Sequence, residues 1–153
     1  MDERLTTGEI CTRSVTIGFQ KTDLSGAARL MRENHVGCLV VVEETEGKRI
    51  VVGMLTDRDI VTAVLAPELD IKHVCVADVM TTDLVTARED DSLVDLIRAM
   101  RRKGVRRIPV VGAQGELLGS VTMDDVLAVL SEELCMLVGA MQSQDQRERH
   151  MRT

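Results

Sequence analysis

Two short stretches of the chain carry residue types that could do chemistry. Residues 53–59 read Gly-Met-Leu-Thr-Asp-Arg-Asp, and residues 119–125 read Gly-Ser-Val-Thr-Met-Asp-Asp. Each has the form Gly-x-x-Thr-x-x-Asp, with the Thr at a predicted strand end and the Asp in the first turn of a predicted helix. A carboxylate can accept two hydroxyl donors, and the N-terminal amides of a helix favour an anion. The pattern therefore places a carboxylate acceptor beside the amides of a helix N-terminus.

The same spacing also has a purely structural explanation. Thr is a good helix N-cap, and an acid three residues later can bond back to the N–H of the cap, as in a capping box. Capping explains either copy alone as well as binding does. Two copies at matching points of a longer repeat favour binding, because a cap does not require the same flanks.

The two stretches belong to an internal repeat. Residues 7–12, 24–31 and 35–42 align with residues 69 positions later, and the offset falls to 66 at the Gly-x-x-Thr-x-x-Asp stretch. The first copy therefore has three extra residues, which fall in a charged segment, 43–48, where an insertion into a loop tip costs little.

Each copy predicts the order β-α-β-β-α. The predicted strands are 14–17, 39–42 and 50–55 in the first copy and 84–86, 108–111 and 117–121 in the second. The first helix of each copy begins at Thr22 or Asp23 and at Ser92, and stops near Asn34 and Gly104. Continuous aliphatic strands indicate a covered sheet. We expect an α/β (α+β) fold of two pseudo-symmetric repeats packed through their sheets.

The repeat also sets the predicted domain limits, which are residues 7–66, a connector at 67–76, residues 77–134, and a helix end with a polar tail at 135–153. The closing helix of the first copy is predicted at 57–65. The last helix is predicted from Met123 to about Met141, with a frayed or disordered tail after Gln142. Its excess apolar face is either a dimer contact or a cap on the core.

Composition narrows the function classes. The chain has 153 residues, 44% of them hydrophobic and 29% charged, with a net charge of −6. This acidic balance argues against general nucleic-acid binding. No apolar run reaches the ~18 residues that a membrane span needs, and the acidic N-terminus is unlike a signal peptide. We expect a cytoplasmic protein that binds neither nucleic acid nor membrane.

Catalytic and metal sites are not predicted. The four cysteines are scattered without a Cys-x-x-Cys pair, and the three histidines have no nucleophile in a recognisable motif. A Gly-rich phosphate loop with Lys is also missing. We therefore expect neither an enzyme nor a metal protein.

The ordered set of motifs resembles the tandem CBS (cystathionine β-synthase) domain pair, or Bateman module, over roughly residues 7–134. The second copy carries the closer likeness, with Val-Met-Thr at 79–81, Leu-Val-Thr at 84–86, Gly-Val-Arg-Arg-Ile-Pro-Val-Val at 104–111 and the motif at 119–125. The first copy departs at Cys11, where the family favours Met, and at 37–40. The resemblance implies pseudo-symmetric halves that commonly dimerise into a flat disc.

The resemblance implies clefts between the halves that bind an adenosine-containing ligand: AMP, ADP, ATP, NAD or S-adenosylmethionine. The motif acids would accept bonds from the ribose hydroxyls, with the motif threonines beside them, and basic residues would reach the phosphates. Aliphatic strand residues would line an adenine slot. The implied residues are Asp125, Thr122, Arg106, Arg107, Ile108, Pro109, Val85, Thr86, Asp59, Thr56, Arg58, Thr16, Ile17, Cys38 and Leu39.

The two implied sites should differ in phosphate binding. The second copy has Arg106 and Arg107 at the start of a strand, where alternate side chains point in opposite directions, so one of them can be a solvated surface charge. The first copy has Cys38 there, although Arg58 could substitute. Asp124, at the position of Arg58, would repel a phosphate. We expect a better site at Asp125 and a weaker or differently selective one at Asp59.

The sequence thus predicts a stand-alone regulatory module that senses an adenosyl nucleotide and signals by a change of shape. It would act as a homodimer on an unidentified regulated protein. The alternative is a CBS-fold scaffold that binds a partner through its long C-terminal helix and has no ligand function.

Overall fold

The computed structural model describes residues 5–152. In chain order it contains α1 (Thr7–Ile10), β1 (Ile17–Phe19), α2 (Leu24–Asn34), β2 (Cys38–Thr45), β3 (Lys48–Thr56), α3 (Asp57–Ile60), α4 (Val76–Val79), α5 (Leu93–Lys103), β4 (Arg107–Val111), β5 (Leu117–Thr122) and α6 (Met123–Met151). The mixed α/β class and the pairing of two sheet-containing halves are as predicted.

Each half is built on its own small sheet and core. The first sheet has the order β1-β2-β3, with β1 parallel and β3 antiparallel to β2, and the second pairs β4 with β5 in antiparallel fashion. The cores are separate clusters of aliphatic side chains. They include Leu24, Leu39, Leu55 and Val64 in the first half and Leu96, Ile108, Val110 and Val121 in the second.

The first helix of each repeat begins and ends as the sequence predicts. Asp23 and Ser92 cap the N-termini of α2 and α5 by accepting bonds from backbone N–H groups three residues on. At the other end, His35 and Gly104 take left-handed conformations, with φ of 54° and 65°. Glycine adopts this conformation freely, whereas a side chain makes it costly at His35.

The two halves exchange their N-terminal segments. Helix α1 packs on the core of the second half through Ile10, and α4 packs on the core of the first half through Val76. Backbone bonds join Thr12 to Ser120, at 2.9 Å in both directions, and Thr81 to Met54, at 2.8 and 3.0 Å. These pairs are equivalent under the repeat, so each sheet is extended by a segment from the other copy.

Two predicted strands and one predicted helix of the repeats differ from the structure. The strand predicted at 14–17 begins only at Ile17, and residues 84–86 form no strand: in the described part of the chain only an isolated bridge from Ala87 to Val110 stands in its place. The helix predicted at 57–65 is α helical only to Ile60 and continues as a π turn over Val61–Leu65. Short segments near a crossover are shaped by tertiary contacts that periodicity does not record.

The three extra residues of the first copy lengthen a hairpin instead of a loop. Strands β2 and β3 pair as far as Thr45 and Lys48, and only Glu46 and Gly47 form the turn, both with positive φ. The second hairpin is shorter at both strands.

The tail predicted to fray is helical. Helix α6 continues to Met151, so its residues after Gln142 extend one 29-residue helix. Beyond Gly139 it has neither Gly nor Pro and is rich in Gln and Arg, which are good helix formers. By length and composition α6 could also cross a membrane, and it is the one described helix that meets this criterion. The expectation of a protein without a membrane contact stays a prediction.

Candidate functional site

Both motif acids belong to helix capping boxes in the structure, with the motif threonines as the N-caps. In the first copy, the N–H of Thr56 donates to Asp59 Oδ2 at 2.9 Å, and the N–H of Asp59 donates to Thr56 Oγ1 at 3.1 Å. Thr122 and Asp125 repeat the arrangement at the start of α6. The capping explanation is therefore correct in both copies. Each carboxylate can still accept further hydrogen bonds, because the capping bonds use Oδ2 and a carboxylate has about four acceptor positions.

A cleft of about 680 Å³ lies between the halves, at the motif threonines that begin α3 and α6. Its size falls within the range of small-molecule sites, about 300–1,000 Å³. The first half contributes the starts of β2 and α3, and the second contributes the starts of β4 and α6. Of the residues implied by the sequence, the cleft brings together Cys38, Thr56, Arg58, Val85, Arg106, Arg107 and Thr122.

The remaining implied residues are not among those that line this cleft over residues 5–152. They are Asp59, Asp125, Leu39, Ile108, Pro109, Thr86, Thr16 and Ile17. Leu39 and Ile108 are fully buried in the two cores, so their side chains serve packing. Asp59 and Asp125 come directly after the lining residues Arg58 and Asp124 in the chain. Residues from both predicted sites thus line one shared cleft.

Three guanidinium groups line the cleft. Arg58 comes from the first half, and Arg106 and Arg107 come from the second. Arg106 is exposed, whereas Arg107 is partly buried and lies 3.5 Å from the hydroxyl of Ser120. The two neighbours therefore differ in environment, as expected for consecutive residues entering a strand. Together they supply the positive charge that a phosphate needs.

The lining also includes acids and residues from the start of the second repeat, and of these the sequence interpretation named only Asp124, as a residue that would repel a phosphate. Asp57, Asp83 and Asp124 bring carboxylates, and Thr81 and Leu84 come from the start of the second repeat. The Nζ of Lys103 lies 3.4 Å from Asp83 and partly balances it. The adjacency of Asp57 to the motif threonine Thr56 was a signal that could have identified it. Thr81 and Asp83 enter because the start of the second repeat crosses to the first half, where Thr81 bonds to Met54.

The Cys38 thiol occupies the buried side of the cleft. Burial raises the pKa of Cys38 to about 11, the guanidinium of Arg107 opposes the rise, and the carboxylates of Asp59 and Asp57 add to it. The thiol is therefore protonated near neutral pH and is a poor nucleophile. This environment suits a ligand contact better than covalent chemistry.

Metal binding has no support in the described part of the chain. Over residues 5–152, no group of three or more His, Cys, Asp or Glu side chains is arranged to hold a metal ion. The four cysteines are free thiols.

Comparison with known proteins identifies the repeat. The sequence profile of the CBS domain matches residues 8–66 and again residues 76–132. The chain belongs to the CBS domain family. It carries two tandem CBS repeats, and their matched limits lie close to those of the internal repeat.

Relatives share this domain pair. The chain is 34% identical to an uncharacterized protein from Methanopyrus kandleri over 80% of its length, but it spans only 61% of that relative. It is 36% identical to the CBS domain-containing protein YhcV from Bacillus subtilis, covering 75% of this chain and 77% of YhcV.

Solved structures share the fold of the CBS pair. An uncharacterized conserved protein from Pyrococcus horikoshii has a TM-score of 0.72 at 30% identity, with 84% of this chain and 94% of that one covered. The CBS domain pair of protein MJ0100, in complex with 5′-methylthioadenosine and S-adenosyl-L-methionine, has a TM-score of 0.72 at 22% identity over 85% of this chain and 98% of that pair. The second likeness concerns the fold alone.

Proposed function

We propose that this CBS pair is a cytoplasmic regulatory module, without catalytic activity, that binds an adenosine-containing nucleotide between its repeats. The observation that carries the proposal is the cleft of about 680 Å³ that is lined by Thr56 and Thr122, the threonines of the two Gly-x-x-Thr-x-x-Asp motifs. One ligand there would touch both halves. AMP, ADP, ATP, NAD and S-adenosylmethionine are the candidates, because they share the adenosine group.

The parts of such a ligand have matching partners. Arg58, Arg106 and Arg107 would hold phosphates through charge-assisted bonds, which are stronger than neutral ones. The carboxylates at the motifs, Asp59 and Asp125 among them, would accept the ribose hydroxyls. Apolar lining residues such as Val85 and Val105 would contact the adenine ring. The CBS pair of MJ0100, which binds two adenosyl compounds, supports the capacity of this fold for such ligands.

Signalling requires two conformations with different affinity for the ligand. Each half is bonded to a segment of the other through the Thr12–Ser120 and Thr81–Met54 pairs. The Thr81–Met54 pair lies in the lining of the cleft. A ligand that wedges the cleft therefore acts directly on the bonds that set the tilt between the halves. We propose this tilt as the signal read by a regulated protein.

The test is a thermal-melt titration of the full chain with the five adenosyl compounds and with guanosine analogues as controls. A ligand that binds only the folded state adds RT ln(1 + [L]/Kd), about 2.7 kcal/mol at a hundredfold excess over Kd. We expect a selective shift for at least one adenosyl compound. No shift with any of them at millimolar concentration would contradict the proposal.

A matched pair of variants locates the site. Arg106→Ala and Arg98→Ala each remove one exposed guanidinium, but only Arg106 lines the cleft. Loss of the shift for phosphorylated ligands in Arg106→Ala, with the shift retained in Arg98→Ala, supports binding at this cleft. Equal shifts in both variants would locate the ligand elsewhere.

The scaffold alternative retains one specific observation in its favour. Helix α6 extends far beyond the core of the second half and exposes a row of large apolar side chains. If no adenosyl compound shifts the melt, this helix becomes the functional surface, with the CBS pair as its support.

A further inference from the structure

An apolar groove lies between α5 and α6, apart from the cleft between the halves. Its volume of about 490 Å³ is within the range of small-molecule sites. The apolar part of its lining includes Ile97, Met100, Met123, Val126, Leu127 and Leu130. Ile97, Leu127 and Leu130 are exposed, so the described chain leaves this apolar surface open to a ligand.

Two guanidinium groups border the groove. Arg101 lies in the last turn of α5, and Arg106 lies just before β4. Both are exposed, and within residues 5–152 neither side chain makes an ion pair or a hydrogen bond. The groove lining, over the same residues, contains no carboxylate. Uncompensated positive charge beside an apolar surface is complementary to a ligand that is anionic at one end and apolar over the rest.

The first repeat offers an internal comparison. A groove of about 510 Å³ lies at the equivalent positions between α2 and α3. Three equivalent pairs differ in chemistry, given with the first groove before the second: Ala28 and Ile97, Gly37 and Arg106, and Asp57 and Met123. The second groove therefore has more apolar surface, one more guanidinium group and one carboxylate fewer than the first. The repeat fold explains why both grooves exist, but it does not explain this difference in charge and polarity.

We propose that the groove between α5 and α6 binds the free anion of a single-chain fatty acid. The carboxylate would lie at Arg101 and Arg106, because a guanidinium fork matches the two oxygens of a carboxylate. The acyl chain would lie along the apolar walls, where its methylene groups leave water. This site does not depend on the proposed nucleotide function, and it would make the module responsive to a second, chemically different ligand.

The concave shape of the groove favours one acyl chain over a lipid bilayer. Two helices form its walls, and a single chain between them would touch both. A bilayer that covered α6 would also have to receive Glu132 and Glu133, which are exposed. Charged side chains within a bilayer are costly, whereas a chain in the groove leaves both carboxylates in water.

The first experiment follows methionine methyl signals by NMR while octanoate is added to the full chain. Met100 and Met123 line the groove, and Met31, the repeat equivalent of Met100, lines the groove of the first half. No nucleotide is added, because Met123 also lines the cleft. We expect saturable shifts of the Met100 and Met123 signals and an unchanged Met31 signal. A constant Met100 signal, or an equal shift at Met31, would overturn the proposal.

A chain-length series tests whether the acyl chain is buried. From hexanoate to octanoate and decanoate, the dissociation constant should fall about fourfold for each methylene group that leaves water. Octan-1-ol has the chain of octanoate without its charge, and it should bind more weakly, on the order of tenfold. Equal affinity across the series, or octan-1-ol binding as tightly as octanoate, would contradict the proposed site.

Arg101→Gln and Arg32→Gln form a matched pair of variants. The two arginines are repeat equivalents, and both are exposed in the last turn of a helix. Gln is a good helix former, so both helices should be preserved. We expect the dissociation constant for octanoate to rise on the order of tenfold in Arg101→Gln and to stay unchanged in Arg32→Gln. The same constant in both variants would remove the guanidinium of Arg101 from the site.

Two other occupants of the groove would give different results. We expect no shift of the Met100 signal with phosphatidylglycerol vesicles, and an octanoate affinity that is independent of protein concentration. A Met100 shift with vesicles but none with octanoate would assign the groove to a membrane. An octanoate affinity that weakens as sedimentation shows a dimer forming would assign it to a second copy of the chain. Either result would overturn the proposal.

Discussion

Thr122 and Asp125 bond to each other in both directions across the first turn of α6. The N–H of Thr122 donates to Asp125 Oδ2 at 2.8 Å, and the N–H of Asp125 donates to Thr122 Oγ1 at 3.2 Å. The motif acid therefore has a structural task whether or not a ligand is bound. Its removal tests binding only when stability and ligand response are measured separately.

Asp125→Ala should lower the free energy of unfolding by about 1 kcal/mol without ligand, because α6 loses its capping box. The variant should also lose the ligand-induced shift in melting temperature. Asp78→Ala is the matched control, since Asp78 caps α4 by accepting a bond from the N–H of Cys75 at 2.9 Å and belongs to neither Gly-x-x-Thr-x-x-Asp motif. A full ligand shift in Asp125→Ala would remove Asp125 from the site.

Gly119→Ala should destabilise the protein by about 1–3 kcal/mol. A Cβ at this position would lie 2.8 Å from the carbonyl oxygen of Thr12, where the exchanged segment crosses β5. Chemical denaturation measures the loss. Gly139→Ala is the control: its Cβ would meet nothing within 4 Å, so it should gain about 1 kcal/mol of helix propensity. Equal effects in both variants would show that the crossing imposes no steric limit.

His35→Gly should stabilise the protein by about 1 kcal/mol. His35 ends α2 with φ of 54°, a left-handed conformation that glycine adopts without a Cβ penalty. The equivalent position already has Gly104, and Gly104→Ala should cost a similar amount there. Urea unfolding of both variants checks the opposite signs. Stabilisation in neither, or destabilisation by His35→Gly, would mean that the His35 side chain makes a compensating contact.

Cys38 should resist alkylation in the folded protein. Burial raises its pKa to about 11, so at pH 8 the reactive thiolate is scarce, whereas Cys135 is exposed. Treatment with iodoacetamide at pH 8 followed by peptide mass spectrometry should show modified Cys135 and largely unmodified Cys38. Rapid modification of Cys38, with unfolding excluded by circular dichroism, would contradict the buried environment.

The same thiol makes stability depend on pH in the alkaline range. The folded state holds the Cys38 proton to about pH 11, while the unfolded state releases it near the ordinary value of 9.0. Its contribution is therefore present below pH 9 and is lost between pH 9 and 11, about 2–3 kcal/mol in total. The difference in unfolding free energy between wild type and Cys38→Ala should fall by this amount from pH 8 to pH 11. A constant difference would contradict the shifted pKa.

The sequence alone predicted helix caps and helix ends correctly, because these depend on local chemistry. The two copies of Gly-x-x-Thr-x-x-Asp predicted both capping boxes, and Asp23, Ser92 and Gly104 marked helix ends correctly, because a cap depends on residues within one turn. The ordered motifs indicated membership in the CBS family. The roles of Asp125 and Asp59 toward a ligand stay a prediction.

The tertiary structure decided how the copies share their parts. No local rule assigns α1 to the second core or α4 to the first, because the exchange is stabilised by burial of Ile10 and Val76 against distant strands. It also explains the motif glycines: a Cβ at Gly53 or Gly119 would press on the crossing segment. Only long-range contacts bring Arg58 and Arg106 to one cleft, because the two residues lie about 50 positions apart in the chain and belong to different halves.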